Sequence, residues 1–294
     1  MTVPIIDTHI HLFDPTRKQG IPWPPKDNAK LYKPALPERY RTMVTPLGVV
    51  GAIKVEASPW VEDNQWVLDL IAKDPIIVGI IGNLEPGKPE FRKNFDRFHK
   101  NPLLLGLRYG NLWDRDFHAG VGNPAVIADL KVLADAGLTM DSANPNPALI
   151  EDLLHLSDKL PNLRIMIDHL PQITIPTAAA EKKAYEANLE KFRTRKQVYV
   201  KVSSVLRRVD GRVPTDLPFY KARLDQLFDV FGPDRVVYGS DWPNSDNWDD
   251  YPKVLAVVHE YFSAKGQSIA EKYFWKNSVA AYRWKKRAAN QPSL

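Results

Sequence analysis

The run Asp7-Thr8-His9-Ile10-His11 puts two imidazoles two residues apart in a short apolar stretch. Side chains alternate across a strand, so His9 and His11 share a face and Asp7 lies one repeat deeper on the same side. Two imidazoles so placed can bind one divalent ion or one substrate oxygen, and Asp7 could orient a ring. Two ordinary histidines near a strand end would look the same, so the reading depends on what other strands bring. The same parity sets Lys54, Glu56 and Ser58 against Ile53, Val55 and Ala57, the polar set expected inside a barrel and the apolar set against helices. Arg108 closes the run 103–110, Asp141 follows Thr139-Met140, and His169 shares a face with Ile165 and Ile167. Tyr199, Lys201 and Ser203 form one more face, and Val237, Gly239 and Asp241 another.

These groups need strands to aim them. Candidate strands are 3–11, 48–57, 76–84, 103–109, 138–142, 163–169, 198–203 and 235–241. Helix-like stretches cover 64–74, 89–100, 123–136, 146–160, 177–196 and 217–231, with 251–264 and 268–284 closing the chain. Strand-then-helix repetition argues for a parallel sheet with helices outside. Eight strands suggest an α/β fold of the (β/α)8 TIM-barrel kind, in which C-terminal strand ends build the active site. Seven of the eight ends carry polar groups here. An open doubly wound sheet is the alternative, but no Gly-rich phosphate loop follows the first strand. Asn123-Pro124 and Asn146-Pro147 read as capped helix starts, and Ala136-Gly137 as a helix end. A Pro-rich stretch from Pro15 to about Tyr40, carrying Trp23, interrupts the rhythm after the first strand and reads as a lid or wall over the barrel mouth.

Composition narrows the chemistry. With 44% hydrophobic and 26% charged residues the chain is an ordinary globular sequence, not a disordered one. Its 294 residues fit one barrel over 1–294 as well as two smaller domains. No cysteine is present, which excludes thiolate metal sites and cysteine nucleophiles, so any metal must be held by imidazole and carboxylate. No Gly-x-Ser-x-Gly elbow supports a serine hydrolase. No segment is apolar enough to suggest a membrane span, and the N-terminus has no leader pattern, so a cytoplasmic location is expected. The basic run Lys285-Lys286-Arg287 reads as a solvated tail, and no nucleic-acid partner is expected.

Asp7-Thr8-His9-Ile10-His11, His169 within Asp168-His169-Leu170-Pro171, the run 198–203 and Gly239-Ser240-Asp241-Trp242-Pro243 together resemble the amidohydrolase superfamily. The nearest likeness is to its amidohydrolase-2 branch, the group of 2-pyrone-4,6-dicarboxylate lactonase and the sugar lactonases, over nearly the whole chain. Two-metal members use a carboxylated lysine on strand four or five and further histidines on strands five and six. Here strand four offers Arg108 and strand five Asp141, which argues against a two-metal site. Decarboxylase members carry two late-strand histidines, and here the late strands offer only His169. The resemblance therefore implies a hydrolase that opens a lactone ester, with a metal-dependent decarboxylase of an aromatic or muconate-type acid as the alternative.

The implied centre is His9, His11, His169 and Asp241, three nitrogens and one oxygen that could hold one Zn or Mn ion. The group also includes members that need no metal, so the three histidines could polarise the carbonyl themselves. In either case Asp241 would take a proton from the attacking water, and a protonated Asp241 or another acid would return it to the leaving ring oxygen. The substrate would be a small molecule, anionic or polyhydroxylated, and the outer helices could support a homodimer. Glu56, Ser58, Arg108, Asp141, Lys201 and Arg207 are candidate substrate contacts, with Arg208 beside them; Arg108 and Lys201 could equally form ion pairs inside the barrel with Glu56 or Asp141. Trp60, Trp113 and Trp242 each follow a strand end and could stack on a ring or pack loop against barrel. His99, His155 and His259 read as exterior residues, and the role of His118 stays open.

Overall fold

Each apolar run read as a strand pairs in parallel with the next. In the computed structural model, which describes residues 3–294, they are β1 (Ile5–Ile10), β2 (Val49–Val55), β3 (Ile77–Gly82), β4 (Leu104–Arg108), β5 (Thr139–Asp141), β6 (Arg164–Ile167), β7 (Val198–Ser203) and β8 (Val236–Gly239). They form one eight-stranded sheet in the order β1 to β8. The ring nearly closes just past β8: the Asp241 amide donates to His9 O at 2.8 Å, and the His11 amide to Trp242 O at 2.7 Å. Gly239 permits this approach, because a Cβ there would stand 2.8 Å from the His9 Cβ. The result is the expected (β/α)8 barrel. Met1 and Thr2, part of the segment read for a leader, lie outside the described residues.

Around the ring run α1 (Pro37–Val44), α2 (Glu62–Ile71), α3 (Phe91–Phe98), α4 (Phe117–Gly122), α5 (Pro124–Asp135), α6 (Pro147–Lys159), α7 (Ala179–Lys191), α8 (Leu217–Phe231), α9 (Tyr251–Ala264), α10 (Gln267–Glu271) and α11 (Asn277–Tyr282). Asn123 and Asn146 cap α5 and α6 as expected, accepting from the amides of Ala125 at 2.9 Å and Leu149 at 2.8 Å. Sequence periodicity missed α1 and α4, which have only 8 and 6 residues, too few to display a 3.6-residue repeat. The single helix expected over 268–284 is broken by a wide turn at Lys272–Lys276. That turn buries Tyr273, Phe274 and Trp275 in succession, which a regular helix would spread over 200° of its circumference. Among the described residues no helix is long and apolar enough to cross a membrane.

The strands bury two faces. Ile5, Ile77, Ile165, Val200 and Tyr238 join the helices in the larger apolar cluster. Ile6, Ile53, Val55, Met166 and Val237 form a smaller cluster inside the ring with Tyr282 and Trp284. Two parity expectations fail here. Ile53 and Val55 face inward instead of toward the helices, because the interior of the ring is itself filled with apolar side chains and polarity alone did not say which face of β2 turned in. A register shift between Asp7 and Ile10 separates Asp7 from the histidine face. Asp7 accepts from the hydroxyls of Tyr40 and Tyr251, both at 2.9 Å, and from the amides of His9 at 3.1 Å and Ser240 at 2.8 Å. It ties β1 to the chain after β8 and to α1 and α9, and it orients no imidazole.

Candidate active site

Three imidazoles converge on one oxygen. The Nε2 atoms of His11, His9 and His169 lie 3.2, 3.6 and 3.7 Å from Asp241 Oδ1. The second oxygen of Asp241 accepts from Ser204 Oγ at 2.5 Å and Asn244 Nδ2 at 2.8 Å, which fixes the carboxylate plane. His11 Nδ1 is held against the carbonyls of Val55 and Glu56 at 3.1 and 3.0 Å, and His169 Nδ1 meets Ser203 Oγ at 2.8 Å. His169, Ser204 and Asp241 all have left-handed backbones, with φ of 54°, 48° and 64°. Such conformations cost about 1–3 kcal/mol each and collect at functional sites. Each residue sits just beyond its strand, on a turn; strand parity pointed to His169 and Asp241 but gave no sign of Ser204.

This donor set suits one divalent cation. Four donors about 2.0–2.2 Å from a tetrahedral ion stand roughly 3.3–3.6 Å apart, close to the oxygen–nitrogen separations here. His9 Nε2 is fully buried and has no hydrogen-bond partner, a costly arrangement for a polar atom unless something takes its lone pair. His9, His11 and Asp241 all offer donors within 4.8 Å of one another.

One repeat deeper lies a second polar cluster of different character. Lys201 Nζ is 2.6 Å from Asp141 Oδ2 and 3.0 Å from Asp168 Oδ1, and 3.3 Å from His9 Nδ1. Arg108 Nε pairs with Asp168 Oδ2 at 3.1 Å, and Tyr282 donates to Asp141 Oδ2 at 2.8 Å. Lys201, Asp141 and Asp168 are wholly buried. The ion pair foreseen between Lys201 and Asp141 is therefore present, and neither residue reaches the cavity. His9, Asp168 and His169 also lie close enough to share an ion, but both Asp168 oxygens already face Lys201 and Arg108, so we assign Asp168 to this lower cluster.

The cavity over Asp241 has a volume of about 210 Å³, below the roughly 300–1,000 Å³ of pockets for drug-sized ligands. Its walls include His11, His169, Glu56, Arg108 and Trp113 from the expected set. Trp23 of the Pro-rich loop reaches the same cavity, its ring 5.3 Å from that of His11, so that loop forms a wall as expected. Leu112, Asn144, Gln172 and Asn244 also line it; amides in loops carry no periodic signal, and sequence reasoning missed them. Other expected contacts lie elsewhere. Trp242 is fully buried, packed on Tyr40 at 5.3 Å and beneath the Arg39 guanidinium. Ser58 accepts from the Trp60 amide at 3.0 Å within its own turn, and Trp60 is exposed. Arg207 is exposed and lies over Phe219, and Arg208 is exposed as well. His118 pairs with Asp152 at 2.8 Å on the exterior, with its side chain 83% exposed.

Burial and charge set the protonation pattern. Burial, reinforced by Lys201, pulls His9 well below the usual imidazole value, and burial lowers His169 too. Burial would raise Asp241, but His169, then the hydrogen bond from His11 and the His9 ring, outweigh it and hold the carboxyl ionised. Neutral rings lend Asp241 less help, yet Ser204 and Asn244 still donate to it, so a neutral His9 beside an ionised Asp241 is the state we stand behind. Burial raises Glu56 to about 7, against the pull of Arg108, Arg115 and Lys54. In the lower cluster burial raises Asp141 to about 6, while Lys201, His9 and Arg108 overcome burial to hold Asp168 ionised.

The fold and this cluster define a (β/α)8-barrel enzyme with a single polar centre of imidazole and carboxylate at its strand ends. The sequence matches the amidohydrolase family model over residues 6–284, and the chain belongs to that family. An L-fucono-1,5-lactonase from Burkholderia ambifaria is 24% identical over 97% of this chain and 98% of its own. A 4-sulfomuconolactone hydrolase from Rhizobium radiobacter is 26% identical over 83% of this chain and 77% of its own. The fold is that of a crystal structure of an amidohydrolase from Burkholderia multivorans with bound zinc, with a TM-score of 0.82 and 18% identity over 96% of this chain and all of that one.

Proposed function

We propose that this protein hydrolyses the ester bond of a lactone, with Asp241 as the group that takes the proton from the attacking water. The observation that carries the reading is the convergence of three imidazole Nε2 atoms on Asp241 Oδ1 at 3.2–3.7 Å beside the small cavity. The names of two relatives, a fuconolactonase and a sulfomuconolactone hydrolase, support the same bond type. His9, His11, His169 and Asp241 would hold the divalent ion, zinc or manganese, which when bound supplies Lewis-acid stabilisation of negative charge. Ser204 and Asn244 hold Asp241 Oδ2 and fix the carboxylate that accepts the water's proton. His11 and His169 line the cavity and would hold the ion there through Nε2, and preorganised positive charge for the developing oxyanion is usually the largest catalytic contribution. Trp23 and Trp113 supply the aromatic part of the cavity wall. The proton held by Asp241 then passes to the ring oxygen as the carbon–oxygen bond breaks, and the product is an open-chain hydroxy acid.

The test is a lactone panel in weak buffer with a pH indicator, run on the purified protein before and after chelation. Acidification matching substrate loss is expected, with activity lost on chelation and restored by zinc or manganese. Proton uptake with CO2 release on aromatic or muconate-type acids, and no acidification on any lactone, would replace this reading with a decarboxylase.

A further inference from the structure

The cavity holds a carboxyl group that the hydrolysis itself leaves unused. Glu56 follows β2 and is 2% exposed. Its Oε1 accepts from Trp113 Nε1 at 3.2 Å, while Oε2 is buried without a partner. A buried carboxyl oxygen with no donor is expensive, and Glu56 lines the cavity, where a bound molecule can supply the missing donor. The charges of the wall point the same way. Arg108 is the one guanidinium there, already paired with Asp168, and it faces two carboxyl groups, Glu56 and Asp241. Lys201 is sealed below, and Arg207 and Arg208 lie off the cavity. Beside Glu56 the described lining offers an anionic guest only Arg108, any ion at the histidine centre being directed at the reacting carbonyl, and the amides of Asn144, Gln172 and Asn244 suit hydroxyls.

We propose that Glu56, pinned by Trp113, is a specificity residue that accepts a hydrogen bond from a substrate hydroxyl and rejects lactones presenting a carboxylate at that position. The inference rests on the lactone-hydrolase reading and narrows its substrate to neutral polyhydroxylated lactones. A site built to pair a hydroxyl discriminates strongly, because a guest lacking that donor leaves the buried acceptor bare.

The experiment uses two aldono-lactones and the matching aldaro-lactones, which differ in a terminal CH2OH against a carboxylate. Wild type is expected to prefer the aldono-lactone by about 50-fold or more in kcat/KM at pH 8. Glu56→Gln is expected to lose about 10- to 100-fold on the aldono-lactone, mostly through KM, and to bring the two substrates within about threefold. Trp113→Phe, which removes the pinning N–H and keeps a ring, should shift the ratio in the same direction by less. A wild-type preference for the aldaro-lactone, or an equal loss on both substrates in Glu56→Gln, overturns the proposal. Calorimetric binding of the corresponding lactams, which resist hydrolysis, separates the two questions. If no lactone is hydrolysed but the lactam preference appears and vanishes in Glu56→Gln, the reaction assignment fails and the role of Glu56 stands. Equal lactam binding in wild type and variant overturns that role, whatever the reaction.

Discussion

The barrel holds two buried polar clusters one strand-repeat apart, and they differ in how their charges are matched. In the lower cluster Lys201 and Arg108 face Asp141 and Asp168 at 2.6–3.1 Å, two charges against two. In the upper one a single carboxylate, Asp241, gathers three imidazoles, and His9 Nε2, 3.6 Å from it, has no hydrogen-bond partner. Both clusters use residues from strand ends, and both are hidden from bulk water. A cluster whose charges pair off holds structure, even where, as at both Asp168 oxygens, the ion pair is not also a well-aligned hydrogen bond. A cluster with unsatisfied donors and acceptors at a cavity is prepared for something that arrives.

The largest effect should follow from attacking the upper cluster. Asp241→Asn keeps the shape and removes the proton acceptor, so kcat on a lactone should fall about 10²–10⁴-fold, with near-ultraviolet circular dichroism unchanged. Activity close to wild type would mean that the upper cluster is structural too. Next comes the lower cluster. Lys201→Met strips the cation from two buried carboxylates and should cost about 3–5 kcal/mol of stability, read from the urea midpoint. A variant of normal stability and no activity would move Lys201 into the reacting centre and dissolve the distinction.

Sequence parity located most of this. His9 and His11 on β1, Lys201 on β7, Asp141 on β5 and Asp241 past β8 were all readable from alternation, because strands impose a period of two. Which cluster each residue would join was not readable, since that depends on neighbours from strands far apart in sequence. Asp7 broke the pattern where the register shifts within β1, since a shift of one residue sends a side chain to the opposite face, and the Ile53–Val55 pair broke it because the barrel interior is as apolar as the helix side. The tryptophans show the limit for loops. Trp113 lines the cavity and Trp242 is sealed beneath Arg39, although each simply follows a strand end, because loop backbones carry no period from which a direction can be read.

Glu56 lies between the two behaviours, unsatisfied at Oε2 yet surrounded by Arg108, Arg115 and Lys54. Its native value of about 7 stands above the ordinary 4.5. The folded protein therefore keeps a proton that the unfolded chain has released between those values, so stability falls as pH rises through that window. Glu56→Gln removes the slope. The variant should gain on wild type from pH 4.5 to pH 7.5, by on the order of 3 kcal/mol at most, measured as the difference in urea midpoints. Parallel curves across the window would place Glu56 among charges already balanced, with the lower cluster.

The smallest effect should come from the histidine that sequence left open. His118 and His169 both sit beyond strand ends, but only His169 continued a strand's alternation and lay in the Asp168-His169-Leu170-Pro171 turn. His169 turns through a left-handed backbone onto Ser203 and Asp241, whereas His118 stands on α4 facing water and Asp152. Asp152 raises His118 above the usual imidazole value, but an exposed pair of this kind acts locally and is screened by salt. His118→Ala should leave kcat/KM within about twofold of wild type, against a loss of about 10²-fold or more for His169→Ala. A tenfold fall in the first variant would show that α4 closes over the substrate, and the wall of the cavity would then extend beyond Trp113 to the far end of that loop.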